Sequence, residues 1–363
     1  MKKIIVLSNM YPSKEHPTFG IFVENQVELL RSSGQEVDVI AIENAGKGKI
    51  TTLKKYITWF FRSFFHMLRN RKKVSLSHAH YAFPTGLISL VSKKLLGIPY
   101  VVTVHGGDID KMSTIHPMIA KLTKKILVQA DTVIVVGERL KRDVIERFGV
   151  SENNVTVMSM GVDTSIFKKI PKEEARMSLG LHVDGPIILF VGNIIKQKGL
   201  LELVEAYKLL KGNVPDLSLY LIGSTKDSGF VSSLQSYISE NKIQDVHFIG
   251  PKPQSEIAKW MSAANILSLP SYHEGFGLVA LEAMAVGMDV VGTNVGGLTY
   301  LLADDAGILV QPKDVKSLHD GLALALNGDT NKINRTVVSE RVTEHAYETI
   351  LQKLQSIYRK AAQ

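Results

Sequence analysis

Cysteine is absent from the 363 residues, which excludes a disulfide framework, a thiol nucleophile and any thiolate metal site, and fits a reducing compartment. No apolar run approaches the roughly 20 residues that a membrane-spanning helix needs. The run at residues 4–7, behind Met1-Lys2-Lys3, is too short for the hydrophobic segment of a signal peptide and predicts a buried first strand. Also missing is the Gly-x-Gly-x-x-Gly turn of a dinucleotide-binding oxidoreductase after that strand. Carboxylates and histidines nowhere gather at metal-ligand spacing, so the expectation is a protein with no metal and no cofactor.

What is present suits a soluble protein with two cores: 45% hydrophobic and 21% charged residues over a length that suits two domains. The net charge of +8 is unevenly spread. Residues 1–170 hold 25 Lys and Arg against 14 Asp and Glu, whereas residues 171–363 hold 18 against 21. A basic half beside a slightly acidic one points to a polyanionic partner for the first half, nucleic acid or anionic lipid.

Strand-like apolar runs alternate with amphipathic stretches along almost the whole chain. The first half offers runs at 4–8, 37–42, 74–80, 100–105, 132–136 and 155–158; the second offers 187–191, 217–222, 246–249, 266–269, 290–292 and 308–310. Helix-length segments such as 20–33, 84–96, 199–210 and 276–286 separate them, and a last helix is expected over 339–360. This alternation predicts parallel sheets with helices on both faces, two doubly wound Rossmann-like α/β domains joined by a hinge near 161–171. Ligands of such sheets lie beyond the carboxyl ends of the strands, so the loops at 9–20, 105–108, 192–199, 223–229, 271–277 and 293–297 matter most.

The most specific of these begins Pro270-Ser-Tyr-His-Glu-Gly-Phe-Gly-Leu. A strand ends, a Glu-Gly-Phe-Gly turn opens a helix, and Glu282 follows Glu274 by eight residues. The amides of Phe276, Gly277 and Leu278 are then free at a helix start, where a diphosphate binds well. An acidic turn that merely complements the helix dipole accounts for one glutamate, but not for the glycines or for a second glutamate in an apolar helix. His105 closes the fourth predicted strand just before two glycines, which places it at the carboxyl edge of its sheet. His78, His80, His116 and His273 carry no such context and are read first as structural.

Residues 270–287 resemble the retaining glycosyltransferases of family 4, whose mark is a Glu-x7-Glu motif matched here by Glu274 and Glu282. The resemblance extends to Tyr11-Pro12 with Gly20-Ile-Phe-Val, His78-Ala-His80 with Pro84-Thr-Gly86, and Val104-His-Gly-Gly-Asp108. It continues through Met160-Gly-Val-Asp-Thr-Ser-Ile-Phe167, Phe190-Val-Gly192 with Lys198-Gly199, and Val295-Gly-Gly297. It implies the GT-B fold: an acceptor-binding domain over 1–165 plus a C-terminal helix at about 343–363, facing a donor-binding domain over 166–342 across a cleft. It also implies roles. Glu282 would bind the ribose of a nucleotide sugar, and Glu274 the sugar. Gly275, Phe276, Gly277 and Leu278 would hold sugar and phosphate through their amides, Gly192 and Asn193 would belong to the donor site, and Gly20 would let its loop approach the donor phosphate. Lys198 would neutralise the departing diphosphate, the large electrostatic term in such a transfer. His105 would lie near the transferred sugar, with His80 and Asp108 on the acceptor side. Three departures stand out: Asn193 replaces the family's usual arginine, Asp289 a common proline, and Tyr300 a glutamate.

The segment 47–73 carries Lys47, Lys49, Lys54, Lys55, Arg62, Arg69, Arg71, Lys72 and Lys73 with no acidic residue. Ile57, Phe60, Phe61, Phe64, Phe65 and Leu68 follow helical spacing and predict a stripe packed on the sheet. Tyr56, Trp59 and Met67 lie beside it, and with the cations they predict a membrane-surface face. No nucleic-acid motif accompanies the charge, so nucleic acid is not expected as a partner. The expectation is therefore a cytoplasmic hexosyltransferase, held peripherally at the inner face of an anionic membrane. It would use a nucleotide diphosphate sugar and a lipid-linked or glycolipid acceptor. The rivals are a non-catalytic protein of the same fold that assists glycan assembly, and a basic nucleic-acid-binding protein.

Overall fold

A computed structural model describes residues 3–14, 16, 19–42, 49–112, 116–181, 185–328 and 333–363, and the chain divides into two compact units. The first comprises Met1–Met160 and Glu348–Gln363. It contains β1 (Lys3–Ser8), α1 (Ile21–Ser32), β2 (Val37–Ala41), α2 (Lys49–Asn70), β3 (Val74–His80), α3 (Thr85–Leu96), β4 (Tyr100–Val104), α4 (Pro117–Gln129), β5 (Thr132–Val135), α5 (Glu138–Phe148) and β6 (Val155–Val157). The second, Gly161–Tyr347, contains α6 (Lys172–Ser178), β7 (Ile187–Val191), α7 (Leu200–Lys211), β8 (Ser218–Ile222), α8 (Ser228–Glu240), β9 (Val246–Gly250), α9 (Gln254–Ala263) and β10 (Ile266–Leu269). It ends with α10 (Leu278–Ala285), β11 (Asp289–Thr293), α11 (Gly297–Leu301), β12 (Ile308–Val310), α12 (Val315–Leu326) and α13 (Arg335–Glu344). The sequence reading set these boundaries at 165/166 and 342/343.

Both sheets are six-stranded and parallel, ordered β2-β1-β3-β4-β5-β6 and β12-β11-β10-β7-β8-β9. Central strands such as β4 and β7 are buried along their whole length, because helices cover both faces. Strand order reverses between β1 and β3 in the first sheet and between β7 and β10 in the second. At such a switch point neighbouring loops diverge and leave a crevice for ligand. The crevices are therefore framed by the loops after β1 and β3, and by the loops after β7 and β10.

The expected single helix at 339–360 is two, α13 and α14 (Tyr347–Ala361). The break has a clear cause. Val162 donates to the carbonyl of His345 and accepts from the amide of Tyr347, so a short bridge captures the backbone between the helices. α14 then packs Ile350, Leu354, Ile357 and Tyr358 into the first unit's core with Ile4, Val6 and Val27.

α2 also departs from expectation. Trp59, Ser63 and Met67 form its buried face, with Trp59 and Met67 in a core shared with Ile40, Ile42 and Val74. The Trp59 Nε1–H donates to the Ile40 carbonyl at 3.2 Å. Trp59 is thus an anchor of the sheet and no part of a membrane surface. Ile57, Phe61, Phe65 and Leu68 point outward instead, Phe61 and Phe65 each more than half exposed. The helix is apolar on two faces, and periodicity alone does not decide which one packs; the indole, which needs a buried acceptor, does. Arg62, Arg69, Arg71, Lys72 and Lys73 are exposed and Lys55 is half-buried, while Lys47 and the Lys54 side chain lie outside the described residues.

Candidate active site

In the second unit, β7 runs into a turn that carries Gly192, an exposed Asn193 and a 3-10 turn ending at Lys198. Gly199 caps α7 at φ 68, packed so closely on the Pro270 carbonyl that a Cβ would collide with it. Only glycine satisfies both demands. The turn is thereby pressed against the end of β10, and the Tyr272 amide donates to the Gln197 carbonyl at 2.9 Å. This brings Lys198 to Glu274: Nζ lies 2.7 Å from Oε2, with both side chains largely buried. Ser271 Oγ donates to the same carboxylate oxygen at 3.3 Å.

Gly277 caps α10 at φ 95, and no side chain caps the helix start. The amides of Leu278 and Val279 therefore keep their donors free among the described residues, next to an exposed Gly275 and a buried Phe276, while the Ala280 amide donates to the Gly277 carbonyl. One turn further, Glu282 accepts a hydrogen bond from Gln254 Nε2 at 3.3 Å. Burial pushes the Glu282 carboxyl up to about 8, with the Gln254 bond opposing the shift. A carboxylic acid held near neutrality in this way is sensitive to whatever hydrogen bonds a ligand supplies. Gln254 carries no signal in the sequence, whereas Ser271 stands out there only as part of the Pro-Ser before the turn. The departure at Tyr300 is self-contained: its hydroxyl donates to Glu344 and accepts from Arg341, whose guanidinium lies over the ring.

The first unit gathers a different set. Gly20 begins α1 at φ 76, and a Cβ there would lie 2.6 Å from the Met10 backbone, so the β1 loop folds tightly onto itself. β3 delivers His78 and His80, both fully buried. His78 is satisfied at both nitrogens, by Tyr358 OH at 2.6 Å and Thr103 Oγ1 at 2.7 Å. His105, partly exposed at the end of β4, meets His80 through Nε2 and Nδ1 at 3.1 Å. The rings of His78, His80 and His105 form a row with centroid spacings of 4.5 and 5.4 Å. Phe22 and Tyr81 flank His105 at 4.9 and 4.7 Å. Burial drives His78 and His105 down to about 3 and His80 well below its usual value, so the row is neutral at physiological pH. Asp108 is buried and accepts from the amides of Ala82, His105 and Gly106, which ties the His105 loop to the end of β3. Its carboxyl is raised to about 6 by burial, against those bonds. Among the other histidines, His116 caps α4 by accepting from the Met118 amide, and His273 is exposed. Among the described residues no three His, Asp or Glu side chains gather as a metal site.

Comparison with known proteins bears on both units. The family described as "Glycosyltransferase Family 4" matches residues 20–166, and "Glycosyl transferases group 1" matches residues 171–344. A protein that carries the name of a teichuronic acid biosynthesis glycosyltransferase, TuaC of Bacillus subtilis (strain 168), is 26% identical over 96% of this chain and 93% of its own. A D-inositol 3-phosphate glycosyltransferase of Corynebacterium aurimucosum is 31% identical over 75% of this chain and 67% of its own. Among solved structures, Anabaena Alr3699/HepE in complex with UDP-glucose superposes with a TM-score of 0.76 at 19% identity, covering 98% of this chain and 99% of that one. That likeness shows a shared GT-B fold.

Proposed function

The chain belongs to glycosyltransferase family 4, and from that premise we propose a retaining transferase that moves a hexose from a nucleotide diphosphate sugar to a hydroxyl. The observation that carries this reading is the Lys198–Glu274 pair beside the uncapped start of α10, at the switch point of the second sheet. In the structure each member of the pair occupies the other. A diphosphate offers Lys198 a stronger partner and frees the Glu274 carboxylate to accept hydrogen bonds from sugar hydroxyls. As the sugar departs, negative charge grows on the diphosphate, where Lys198 and the α10 amides stabilise it without the cost of reorganising water. In this reading no metal ion is needed, and Glu282 binds the ribose. The UDP-glucose complex of a protein with the same fold makes uridine the first base to test.

The acceptor proposed is a lipid-linked glycan or glycolipid of cell-surface polysaccharide synthesis, used by a protein held at an anionic membrane. The TuaC likeness supports the first half of this statement. The surface of the first unit supports the second. No acidic residue occurs between Glu43 and Asp108. α2 packs on α3 and α3 on α4, and Leu95 of α3 and Met118, Lys121, Lys124 and Lys125 of α4 are exposed as well. No described helix is long and apolar enough to cross a membrane. Each basic residue near an anionic surface contributes about 1 kcal/mol, so several suffice for reversible attachment.

A panel of nucleotide sugars screened for thermal stabilisation, without added metal, tests the donor reading, since a ligand that binds only the folded state raises the melting temperature. A uridine diphosphate sugar is expected to stabilise the chain, and Lys198→Ala to abolish the effect. No shift with any nucleotide sugar would overturn the reading.

A further inference from the structure

Two neutral imidazoles that meet nitrogen to nitrogen share one proton, and His80 and His105 meet at 3.1 Å. Two arrangements are possible. In one, His80 donates from Nδ1, leaving a lone pair on its Nε2, and His105 carries its own proton on Nδ1. In the other, His105 donates from Nε2, and His80 carries its proton on Nε2. The His80 Nε2 atom decides between them: it is buried and has no hydrogen-bond partner. The second arrangement would seal an N–H donor away from any acceptor, whereas the first leaves only an unused lone pair. Orphaned buried N–H groups are the rarer of the two in folded proteins.

From this geometry we infer that His80 is a positioning residue that fixes the tautomer of His105, so that His105 presents an Nδ1–H donor. The surroundings keep the ring in that register. Phe22 and Tyr81 flank it, Asp108 holds its backbone amide, and His78 cannot take over the shared proton because both its nitrogens are engaged. No hydrogen bond to His105 Nδ1 is found among the described residues, and the side chain is partly exposed, so the donor is free for a ligand. This inference deepens the glycosyltransferase reading and rests on it for the ligand's identity. A neutral Nδ1–H suits the oxygen of a sugar hydroxyl. It also means that His105 does not serve as the base for the acceptor hydroxyl, because the nitrogen it presents already holds a proton and its other nitrogen is occupied.

The test is nuclear magnetic resonance of the full chain with 15N-labelled histidine at neutral pH, with His105 assigned by the signal lost in His105→Gln. Long-range proton–nitrogen correlations distinguish a protonated from an unprotonated ring nitrogen. The expected pattern is a protonated Nδ1 and a bare Nε2 on His105; the reverse pattern overturns the inference. His80→Leu removes the donor and should shift His105 toward the Nε2–H form. His80→Asn, which places an amide N–H near the position of Nδ1, should restore the Nδ1–H form. If His105 keeps its Nδ1 proton in His80→Leu, His80 does not set it. Should His80→Leu fail to fold, the wild-type spectrum still tests the tautomer, and His80→Asp, whose carboxylate can only accept, should turn His105 to the Nε2–H form; an Nδ1 proton kept there would show that His80 does not set it. The spectra need no substrate, so a failed tautomer assignment and a failed donor assignment are separate results.

Discussion

The two sheets have the same number of strands and the same kind of switch point, yet they arm it in opposite ways. The second unit places a charged pair, Lys198 and Glu274, beside an uncapped helix start and a glutamate raised to about 8. The first places a row of neutral histidines, tied down by Asp108, with hardly a charge among them. The fold supplies a crevice at a fixed place, and the loop residues decide whether it handles an anion or a neutral polyol. A diphosphate needs cations and amides that exchange partners as charge develops. A sugar needs hydrogen-bond donors whose protons stay where they are.

Substitutions sharpen this contrast, and the largest expected effect concerns the buried face of α2 in the first unit. Trp59→Ala empties a buried, hydrogen-bonded site and should cost about 3–5 kcal/mol of stability, read as a large drop in melting temperature. Replacing Phe61 and Phe65 on the opposite face by Ser should leave melting nearly unchanged but reduce sedimentation with anionic vesicles. Wild-type binding should fall with salt and weaken when Arg69, Arg71, Lys72 and Lys73 become Glu. A wild type that stays in the supernatant at all salt concentrations would reduce this face to a solvated one.

Turnover should be next most sensitive. Lys198→Ala removes the cation proposed to stabilise the leaving group and should lower kcat about 100–1000-fold, by analogy with the loss of one preorganised donor. Glu274→Gln should act mainly on kcat, whereas Glu282→Ala should act mainly on donor affinity, because ribose contacts persist from ground state to transition state. A folded Glu274→Gln, Glu282→Ala double variant with wild-type transfer would remove the site from the second unit.

Smaller effects follow from the departures and from pH. Asn193→Arg adds a guanidinium where the turn exposes a neutral amide, and should tighten nucleoside diphosphate binding about tenfold. Burial raises the Glu282 carboxyl to about 8 from the 4.5 of an ordinary glutamate. Its folded pKa is raised, so its contribution to stability is complete below about 4.5 and is lost as pH rises through about 8. Glu282→Gln should therefore flatten the fall in melting temperature across that window. Ribose hydroxyls favour the ionised carboxylate, so wild-type affinity for UDP should rise between pH 6 and about 9, and the rise should vanish in Glu282→Gln.

Much of this was legible in the sequence, for physical reasons. Parallel strands buried on both faces read as apolar runs, unbroken in β7, which is why it stands out, and glycines that no other residue can replace mark the turns around the site. Two things were hidden. α2 is apolar on two faces, and only the need of the Trp59 indole for the Ile40 carbonyl selects the packed one. The histidine row joins residues from β3, the end of β4 and α14, whose Tyr358 is 280 positions from His78. No local pattern reports that a lone histidine has such neighbours, and only the family resemblance sets His80 apart from His78. The structure separates them, one satisfied at both nitrogens and the other at one.

The central claim is that the Lys198–Glu274 pair exchanges partners for a donor diphosphate. Calorimetric titration of UDP into the full chain, in the presence of EDTA, tests it most directly. One site per chain is expected in the wild type. Binding should weaken at least tenfold in Lys198→Ala and should survive in Glu274→Gln, where the lysine is released from its partner. UDP binding that requires a divalent metal, or that is unchanged in Lys198→Ala, would contradict it.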